Sequence, residues 1–150
     1  MSEKTFTVSM KLLENYLFEV DFGEFGSIMT DEPEPLGNSE GPNPARMLGA
    51  AVANCLAASL MFAVRKFNED PGEVKASVTG TIARIDGRWR VSNFSVDIQL
   101  GNAAASLPHL QRALDQFEDF CIVTQSVRNG IEVDVRVHDA DGTLVLGEDA

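Results

Sequence analysis

The sequence predicts an α+β protein with a largely antiparallel sheet, and three observations support that fold class. Strand and helix patterns follow each other in the order β-β-β-α-β-β-α-α-β, so the two kinds of element are grouped and do not alternate regularly. One stretch, residues 45–67, is almost continuously apolar, as expected of a helix that is buried on every side. The chain has 150 residues, which is enough for one domain with its own core. We therefore expect residues 1–150 to form a single domain.

Three strands are predicted in the N-terminal part of the chain. Residues 4–12 alternate roughly between polar and apolar side chains, and a second alternation runs through residues 16–22. The intervening Glu14-Asn15 favours a tight turn, so the two strands should form a hairpin. Residues 26–30 are a candidate third strand.

A long loop is predicted from Asp31 to Pro44. The segment contains four of the six prolines together with two glycines, a composition that neither a helix interior nor a sheet interior accommodates. Long loops inside a compact domain are often functional. Its clustered acids Asp31, Glu32 and Glu34 are nevertheless expected to be solvated charge.

A long helix is predicted over residues 45–67, beginning behind Pro44 and ending before Pro71-Gly72. Its central residues 47–64 approach the length of a membrane span. Six of those eighteen residues are alanine and Asn54 lies in the middle, so we predict a buried helix and no membrane contact. A single small domain would leave such a helix partly uncovered, and a partner subunit is therefore expected.

A second hairpin is predicted from residues 74–83 and 89–100, which both show period-2 patterning around an Asp86-Gly87 turn. The alternation slips near Ser92–Asn93, which indicates a bulge.

Two helices and a last strand are predicted in the C-terminal part. The apolar spacing over residues 108–120 is helical, and residues 121–128 favour a second, short helix that ends at Asn129-Gly130. Residues 131–137 alternate strictly, as in a strand, whereas the acidic tail after the turn at 139–141 is expected to be loose.

Composition excludes several classes of function. The formal net charge of −11 argues against nucleic-acid binding, which needs basic clusters, and against anionic membrane surfaces. No secretory signal pattern precedes the first strand, so a cytoplasmic protein with reduced thiols is expected. The sequence contains no Gly-rich phosphate loop and no nucleophile elbow. Two cysteines and two histidines make a metal site improbable, and no metal is expected.

The two cysteines are the candidate catalytic residues. Cys55 lies in the middle of the predicted long helix, where a cysteine is most simply a small apolar packing residue. Cys121 lies at the start of a short helix, where the unpaired amides and the helix dipole favour a thiolate, so its pKa should fall. If they are adjacent, one thiol can become a sulfenic acid and the other can condense with it to a disulfide. Sequence spacing does not decide whether they meet.

Several motifs resemble the OsmC/Ohr family of proteins. Residues 41–62 (GPNPARMLGAAVANCLAASLMF) are similar to its signature, a proline-containing loop followed by an Ala-rich helix with a central Cys. Residues 120–137 (FCIVTQSVRNGIEVDVRV) resemble its second motif, in which a Cys opens a short helix ahead of the last strand. The loop at 31–44 and the hairpin at 74–99 are similar as well, so the resemblance covers roughly residues 4–138.

This resemblance implies an intertwined homodimer in which antiparallel sheets pack around a central, buried, Cys-bearing helix. It implies a peroxidase that reduces small organic hydroperoxides without a metal or an organic cofactor. By matching position, Cys55 would be the peroxidatic thiol and Cys121 the resolving thiol. A dithiol or a thioredoxin-like protein would be the reductant.

The chain departs from the family pattern at the activating residues. Ala45 stands where family peroxidases usually carry Glu, and residues 1–45 contain none of the Arg expected near the first hairpin turn. Substitute cations could be Lys11, Arg46 or Arg128, although a solvated surface role is simpler for each. Two hypotheses therefore stay open: a weak thiol peroxidase, and a non-peroxidatic OsmC-like dimer with a binding or redox-responsive role.

Overall fold

The computed structural model describes residues 2–148, and within them the chain forms three small antiparallel sheets and three α-helices. The elements are β1 (Ser9–Glu14), β2 (Leu17–Asp21), β3 (Ser27–Thr30), α1 (Pro44–Arg65), β4 (Lys75–Ile85), β5 (Arg88–Gln99), α2 (Leu110–Gln116), α3 (Ile122–Asn129), β6 (Val137–His138) and β7 (Leu144–Leu146). Strands β1-β2-β3 form one sheet, and β4-β5 and β6-β7 form two hairpins. The predicted α+β class is confirmed.

The N-terminal sheet is an antiparallel meander with β2 in the centre. Met10 pairs with Val20, and Val20 pairs in turn with Ile28. All three predicted strands are therefore present, but the first begins at Ser9 and not at residue 4. Its pairing starts opposite Asp21, the last residue of β2, so the residues before Ser9 have no strand to pair with.

The loop after β3 is organised around a buried carboxylate, that of Asp31. The side chain is 3% exposed and accepts hydrogen bonds from the backbone N–H groups of Glu32 (2.8 Å), Asn38 (3.2 Å) and Glu40 (3.2 Å). The prediction of solvated charge is wrong for Asp31, because a loop without regular structure leaves amides that need an acceptor. Gly37 permits this closure, since a Cβ there would overlap a carboxylate oxygen of Asp31.

Helix α1 is confirmed almost to the residue. Asn43 caps it by accepting a hydrogen bond from the backbone N–H of Arg46 at 3.0 Å, and Pro44 occupies the first turn. Among residues 2–148, it is the one helix long and apolar enough to cross a membrane, by length and composition, and 44% of that window is buried inside the fold.

Burial of α1 on every side is wrong for a single chain. The buried positions lie on one face, at helical spacing: Gly49, Val52, Ala53, Leu56, Ser59, Leu60, Ala63 and Val64. The opposite face is exposed, and Phe62 retains 47% of its accessible surface there. One hairpin and the short helices α2 and α3 are too little material to cover both sides.

The hairpin β4-β5 packs against the buried face of α1. Thr81 pairs with Asn93 and Ile82 with Val91, so Ser92 is the extra residue of a bulge, where the slip in alternation predicts one. The Phe94 ring lies between Gly49 of α1 and Gly80 of β4, so close that a Cβ added at these glycines would stand 3.1 Å and 3.0 Å from the ring. The absence of side chains at both glycines allows this close approach of helix and hairpin.

The C-terminal half differs from the sequence-based expectation in two places. The predicted helix at 108–120 is α2 followed by a 3₁₀ turn, Phe117–Phe120. The predicted strand at 131–137 is wrong except at its last residue, because the only strand here is Val137–His138. This strand pairs with β7, which lies in the tail that was expected to be loose. Residues 131–136 have no strand to pair with inside one chain, although the apolar side chains Ile131, Val133 and Val135 are 64%, 76% and 56% exposed.

Replacing Asp31 by alanine is expected to lower the free energy of unfolding by about 2–4 kcal/mol, since three backbone donors lose a charged acceptor. Denaturant unfolding followed by circular dichroism measures the loss. The control is Glu34→Ala, which removes an exposed carboxylate from the same loop and should change stability by less than about 0.5 kcal/mol. Equal effects of the two substitutions would contradict the role of Asp31.

Candidate functional site

The fold brings the two cysteines into contact. Cys55 lies in the middle of α1, and Cys121 directly precedes α3 as its N-cap residue. Both are free thiols, and they share one core cluster with Val52 and Leu56. Cys121 is completely buried, whereas Cys55 is half-buried. The long-range pairing that sequence spacing left open is therefore present in the folded chain.

Cys121 is fixed at a corner between the 3₁₀ turn and α3. Its backbone N–H donates to the carbonyl of Glu118 at 3.1 Å, and its own carbonyl accepts from the N–H of Gln125 at 3.0 Å. The side-chain amide of Gln125 donates a hydrogen bond to the Glu118 carbonyl oxygen at 3.0 Å. These hydrogen bonds hold the backbone on both sides of Cys121. The position of the Cys121 sulfur relative to α1 therefore depends on this backbone turn as well as on the side-chain rotamer.

Another contact joins the start of α2 to the end of α1. The Glu69 carboxylate accepts from the backbone N–H of His109 at 3.1 Å and meets its Nδ1 at 2.8 Å. The imidazole stacks on Phe67 with ring centroids 5.1 Å apart. The start of α2 is thereby anchored beside the end of α1. No sequence pattern indicates this pair, since its members are 40 residues apart.

The surroundings of Cys121 favour its thiolate. Burial raises the pKa of the thiol, but it is outweighed by donors: the Cys55 thiol, the hydroxyl and backbone N–H of Thr124, and the Ser59 hydroxyl. The net result is a pKa below the ordinary value, in the predicted direction. Ser59 lies four residues after Cys55 and Thr124 three after Cys121, but helical spacing alone does not single out these two hydroxyls in the sequence.

The contacts from Thr124 to the sulfur are looser than ordinary hydrogen bonds. Cys121 closes no side-chain capping bond of ordinary geometry, and the Thr124 hydroxyl, in a side chain that is 5% exposed, has no such bond at all. Both groups nevertheless lie close enough to the sulfur to lower its pKa. A neutral thiol is a weak acceptor, and a negative charge on the sulfur strengthens such contacts.

The three candidate cations lie on α3, α1 and β1. Arg128 is joined to Glu118 at 2.6 Å, Arg46 lies in the first turn of α1, and Lys11 is exposed on β1. Within residues 2–148, no ion pair or hydrogen bond joins any of them to Cys55 or Cys121. In the same residues, no group of three or more His, Cys, Asp or Glu side chains could hold a metal ion.

A cavity of about 520 Å³ opens beside the site, between α1, β5 and α3. Its walls are both apolar and polar: the apolar residues are Val52, Leu56, Phe94, Val96, Ile98, Phe117 and Val127, and the polar ones are Asn93, Glu118, Thr124 and Arg128. Thr124 belongs both to this wall and to the surroundings of Cys121. A second cavity of about 370 Å³ lies at the first turn of α1 and is lined by Ala45 and Arg46 among others. An apolar group of a few carbon atoms would fit the first cavity.

The sequence profile of the OsmC-like protein family matches residues 37–136, which include both cysteines and the elements that hold them. The chain belongs to the OsmC-like family. No curated protein matches it by sequence.

Solved OsmC-like structures share this fold at low sequence identity. An OsmC-like protein of unknown function from Vibrio cholerae is 17% identical, with a TM-score of 0.66 over 84% of this chain and 94% of that chain. The OhrB organic hydroperoxide resistance protein of Bacillus subtilis is 15% identical, with a TM-score of 0.63 over 87% and 95%. An OsmC-like protein from Mycoplasma pneumoniae is 17% identical, with a TM-score of 0.66 over 85% and 89%. These likenesses extend the match from the family profile to nearly the whole fold.

The lowered pKa of Cys121 in this OsmC-like chain predicts a pH-dependent contribution to stability. A thiol with a depressed pKa in the folded state stabilises the fold fully above the unfolded value of about 8.5, and this contribution is lost as the pH falls through the folded pKa. The difference in unfolding free energy between the reduced wild type and Cys121→Ser should therefore grow with rising pH over that interval. Its full size is about 1.4 kcal/mol for each unit by which the pKa is depressed.

Denaturant unfolding of both proteins in the presence of a reductant, between pH 6 and pH 9.5, measures this difference (the range is set by the thiol value of about 8.5). Ser126→Ala is the matched control, because it leaves both thiols and the groups around Cys121 in place, so its difference from the wild type should not vary with pH. A difference for Cys121→Ser that shrinks as the pH rises would show that burial dominates and that the thiol stays neutral.

Proposed function

We propose that the protein is a thiol-dependent peroxidase that reduces organic hydroperoxides through a Cys55 sulfenate, which Cys121 resolves as a disulfide. The observation that carries this proposal is the contact between the two thiols inside one core cluster. Peroxide reduction by such a pair needs one sulfur that reaches the substrate and a second that reaches the first. The half-buried Cys55 and the fully buried Cys121 suit these two roles in that order.

The cavity beside the pair supports an organic hydroperoxide as the substrate class. The apolar part of its wall, which includes Val52, Leu56 and Phe94, offers a place for the organic group of an alkyl hydroperoxide. The name of the Bacillus subtilis protein refers to the same class of compound, which supports the proposal for this chain. The product disulfide would be returned to two thiols by a dithiol or by a thioredoxin-like protein.

A non-peroxidatic binding or redox-responsive role is favoured by a different observation. Cys121 has no exposed surface, and Ala45 leaves the first turn of α1 without the carboxylate of family peroxidases. Neither thiol is bonded to a cation within residues 2–148. We therefore expect slower turnover than in members that carry the Glu/Arg pair. If the protein does not turn over hydroperoxide, the second role becomes the proposed function.

We further propose that two copies of the chain assemble as a homodimer. The exposed face of α1 carries apolar side chains such as Leu48 and Phe62, which are 40% and 47% exposed. Residues 131–136 alternate between apolar and charged side chains in the sequence, are exposed, and pair with no strand within one chain. A second copy of the chain would cover the exposed face of α1 and could supply a strand edge for residues 131–136. Each copy would then need and provide the same surfaces, as in a symmetric dimer interface.

Replacing Cys55 by serine is expected to reduce consumption of an alkyl hydroperoxide to the uncatalysed rate, because the attacking sulfur is lost. In a single turnover without added thiol, Cys121→Ser should stop at the sulfenic acid and form no intrachain disulfide, because the sulfenate has no partner thiol. The assay follows loss of cumene hydroperoxide with dithiothreitol as reductant, and non-reducing peptide mapping identifies a Cys55–Cys121 disulfide in the oxidised wild type. Ala105→Ser, at an exposed position between β5 and α2, is the control and should retain activity. Full activity in Cys55→Ser would contradict the proposal.

Sedimentation at low micromolar concentration is expected to give about twice the chain mass of 16.3 kDa. Phe62→Glu should shift the protein towards the monomer, since it places a charge on the exposed apolar face of α1. Phe62→Leu keeps the face apolar and is the matched control. A wild-type protein that sediments as a stable monomer would overturn the proposed dimer.

A further inference from the structure

We propose that the cavity at the first turn of α1 binds an organic anion, a carboxylate joined to an apolar chain, and that Arg46 is the partner of the carboxylate. This cavity is separate from the one beside the thiol pair, and of the described residues Phe94 alone lines both. The inference therefore concerns a second ligand site, and it does not depend on the proposed peroxidase function.

The walls of this cavity come from the first turns of α1 and from the hairpin β4-β5. Its volume of about 370 Å³ lies within the range of small-molecule sites. Six wall residues carry apolar side chains and two are glycines: Ala45, Ala50, Val78, Ile82, Val91, Phe94, Gly49 and Gly80. Such a wall favours a hydrocarbon chain, because apolar surface on both sides is removed from water when the chain enters.

Arg46 is the charged residue of this wall, and Thr79 is the other polar one. Within residues 2–148, the Arg46 guanidinium forms no ion pair and no hydrogen bond. Among the same residues no Asp or Glu lines the cavity, although the chain has 23 acidic residues against 12 basic ones. A planar guanidinium binds a carboxylate through two parallel hydrogen bonds, so an anionic head group suits this position.

One carboxylate of the chain lies on the other side of Arg46. Arg46 also borders a smaller cavity, of about 230 Å³, whose wall includes Asp31. The Asp31 carboxylate already accepts hydrogen bonds from three backbone N–H groups, and in the described part of the chain it forms no ion pair with Arg46. Because the loop satisfies Asp31, Arg46 is left without a bound carboxylate from its own chain.

The hairpin face that lines the cavity carries a second cation further along. Ile82 pairs with Val91, and two residues closer to the turn on each strand Arg84 pairs with Trp89. Residues two apart on a strand lie on the same face, so Arg84 and Trp89 extend the face of Ile82 and Val91. The Arg84 guanidinium carbon lies 5.3 Å from the centroid of the Trp89 ring, and Trp89 is 62% exposed. This face therefore adds positive charge and an aromatic ring next to the cavity.

A single carboxylate fits these charges better than a phosphate monoester does. A phosphate monoester carries close to two negative charges at neutral pH, whereas the cavity wall supplies one guanidinium. A medium-chain fatty acid such as decanoate combines a singly charged head group with a hydrocarbon chain, and it is the probe for the test. The neutral alcohol 1-decanol lacks the charge, and acetate lacks the chain.

The test is a titration of the full chain with decanoate, below the concentrations at which decanoate forms micelles. Trp89 is the one tryptophan of the sequence, so its fluorescence reports binding next to the cavity, and calorimetry gives the dissociation constant. Arg46→Gln should weaken decanoate binding about tenfold or more, because a charge-assisted pair is lost. The wild type should bind 1-decanol and acetate more weakly than decanoate by a similar factor.

Two substitutions of Ala45 separate charge from bulk at the cavity wall. Glutamate and glutamine have nearly the same size, but a carboxylate at this position would repel the ligand and compete for Arg46. Ala45→Glu should therefore bind decanoate about tenfold more weakly than Ala45→Gln. Arg88→Gln is the matched control for Arg46→Gln, since Arg88 pairs with Ile85 on the opposite face of the hairpin, and it should leave the affinity unchanged.

Equal decanoate affinities of the wild type and Arg46→Gln would overturn this inference, and so would equal affinities of the wild type for decanoate and 1-decanol. Binding that is lost in Arg128→Gln and kept in Arg46→Gln would also overturn it, because Arg128 lines the cavity beside the thiol pair. A wild type that binds no decanoate at millimolar concentration would overturn it as well, and a second copy of the chain that closes the cavity would give this result.

Discussion

The buried face of α1 determines where the other elements of the central fold lie. The hairpin β4-β5 and the segment from α2 to α3 both pack against this face, and side chains of both meet in the core clusters around Val52, Leu56 and Leu60. Small residues at Gly49, Ala53 and Ser59 let these elements approach closely, while Val52 and Leu60 supply apolar contact. Because both neighbours use the same helix, a shift in α1 would move the cavity wall and the thiol pair together.

The thiol site combines two demands that oppose each other. A sulfur in the core is shielded from water, which disfavours the charged form that reacts. Donors within the same low-dielectric surroundings are also more effective than they would be in water. Full burial raises the pKa of Cys121. The start of α3 and the hydroxyls of Thr124 and Ser59 lower it. The corner bonds around Glu118 and Gln125 keep these donors in place.

Local patterns predict most of the fold, and long-range contacts are the part they cannot predict. The α1 helix and the bulge at Ser92 depend on periodicity and turn residues that lie within a few positions of each other. The strand at 131–137 has the right pattern, but a strand also requires an edge to pair with, which the alternation does not supply. No local sequence pattern predicts the burial of Asp31, because its carboxylate binds backbone amides whose positions depend on how the loop closes.

The same distinction applies to the site. The position of Cys121 at a helix start follows from neighbouring residues, whereas Cys55 and Ser59, which also lower its pKa, come from a distant part of the chain. Its contact with Cys55 depends on how α3 docks against α1, and the family resemblance alone implied it. Ser59 and Thr124 share helical spacing with the cysteines, yet serine and threonine are too common for such spacing to be noticed without the contact.

The Phe94 ring between Gly49 and Gly80 limits which sequences this fold can accept. A methyl group at either glycine would stand about 3 Å from the ring, closer than side-chain carbons normally approach. The ring also forms part of both cavities, so it cannot retreat without changing their shape. A larger residue at position 49 would push the first half of α1 away from the hairpin. This position lies six residues before Cys55 in the same helix. Evolutionary drift at these two glycines is therefore coupled to the chemistry of a thiol that neither of them touches.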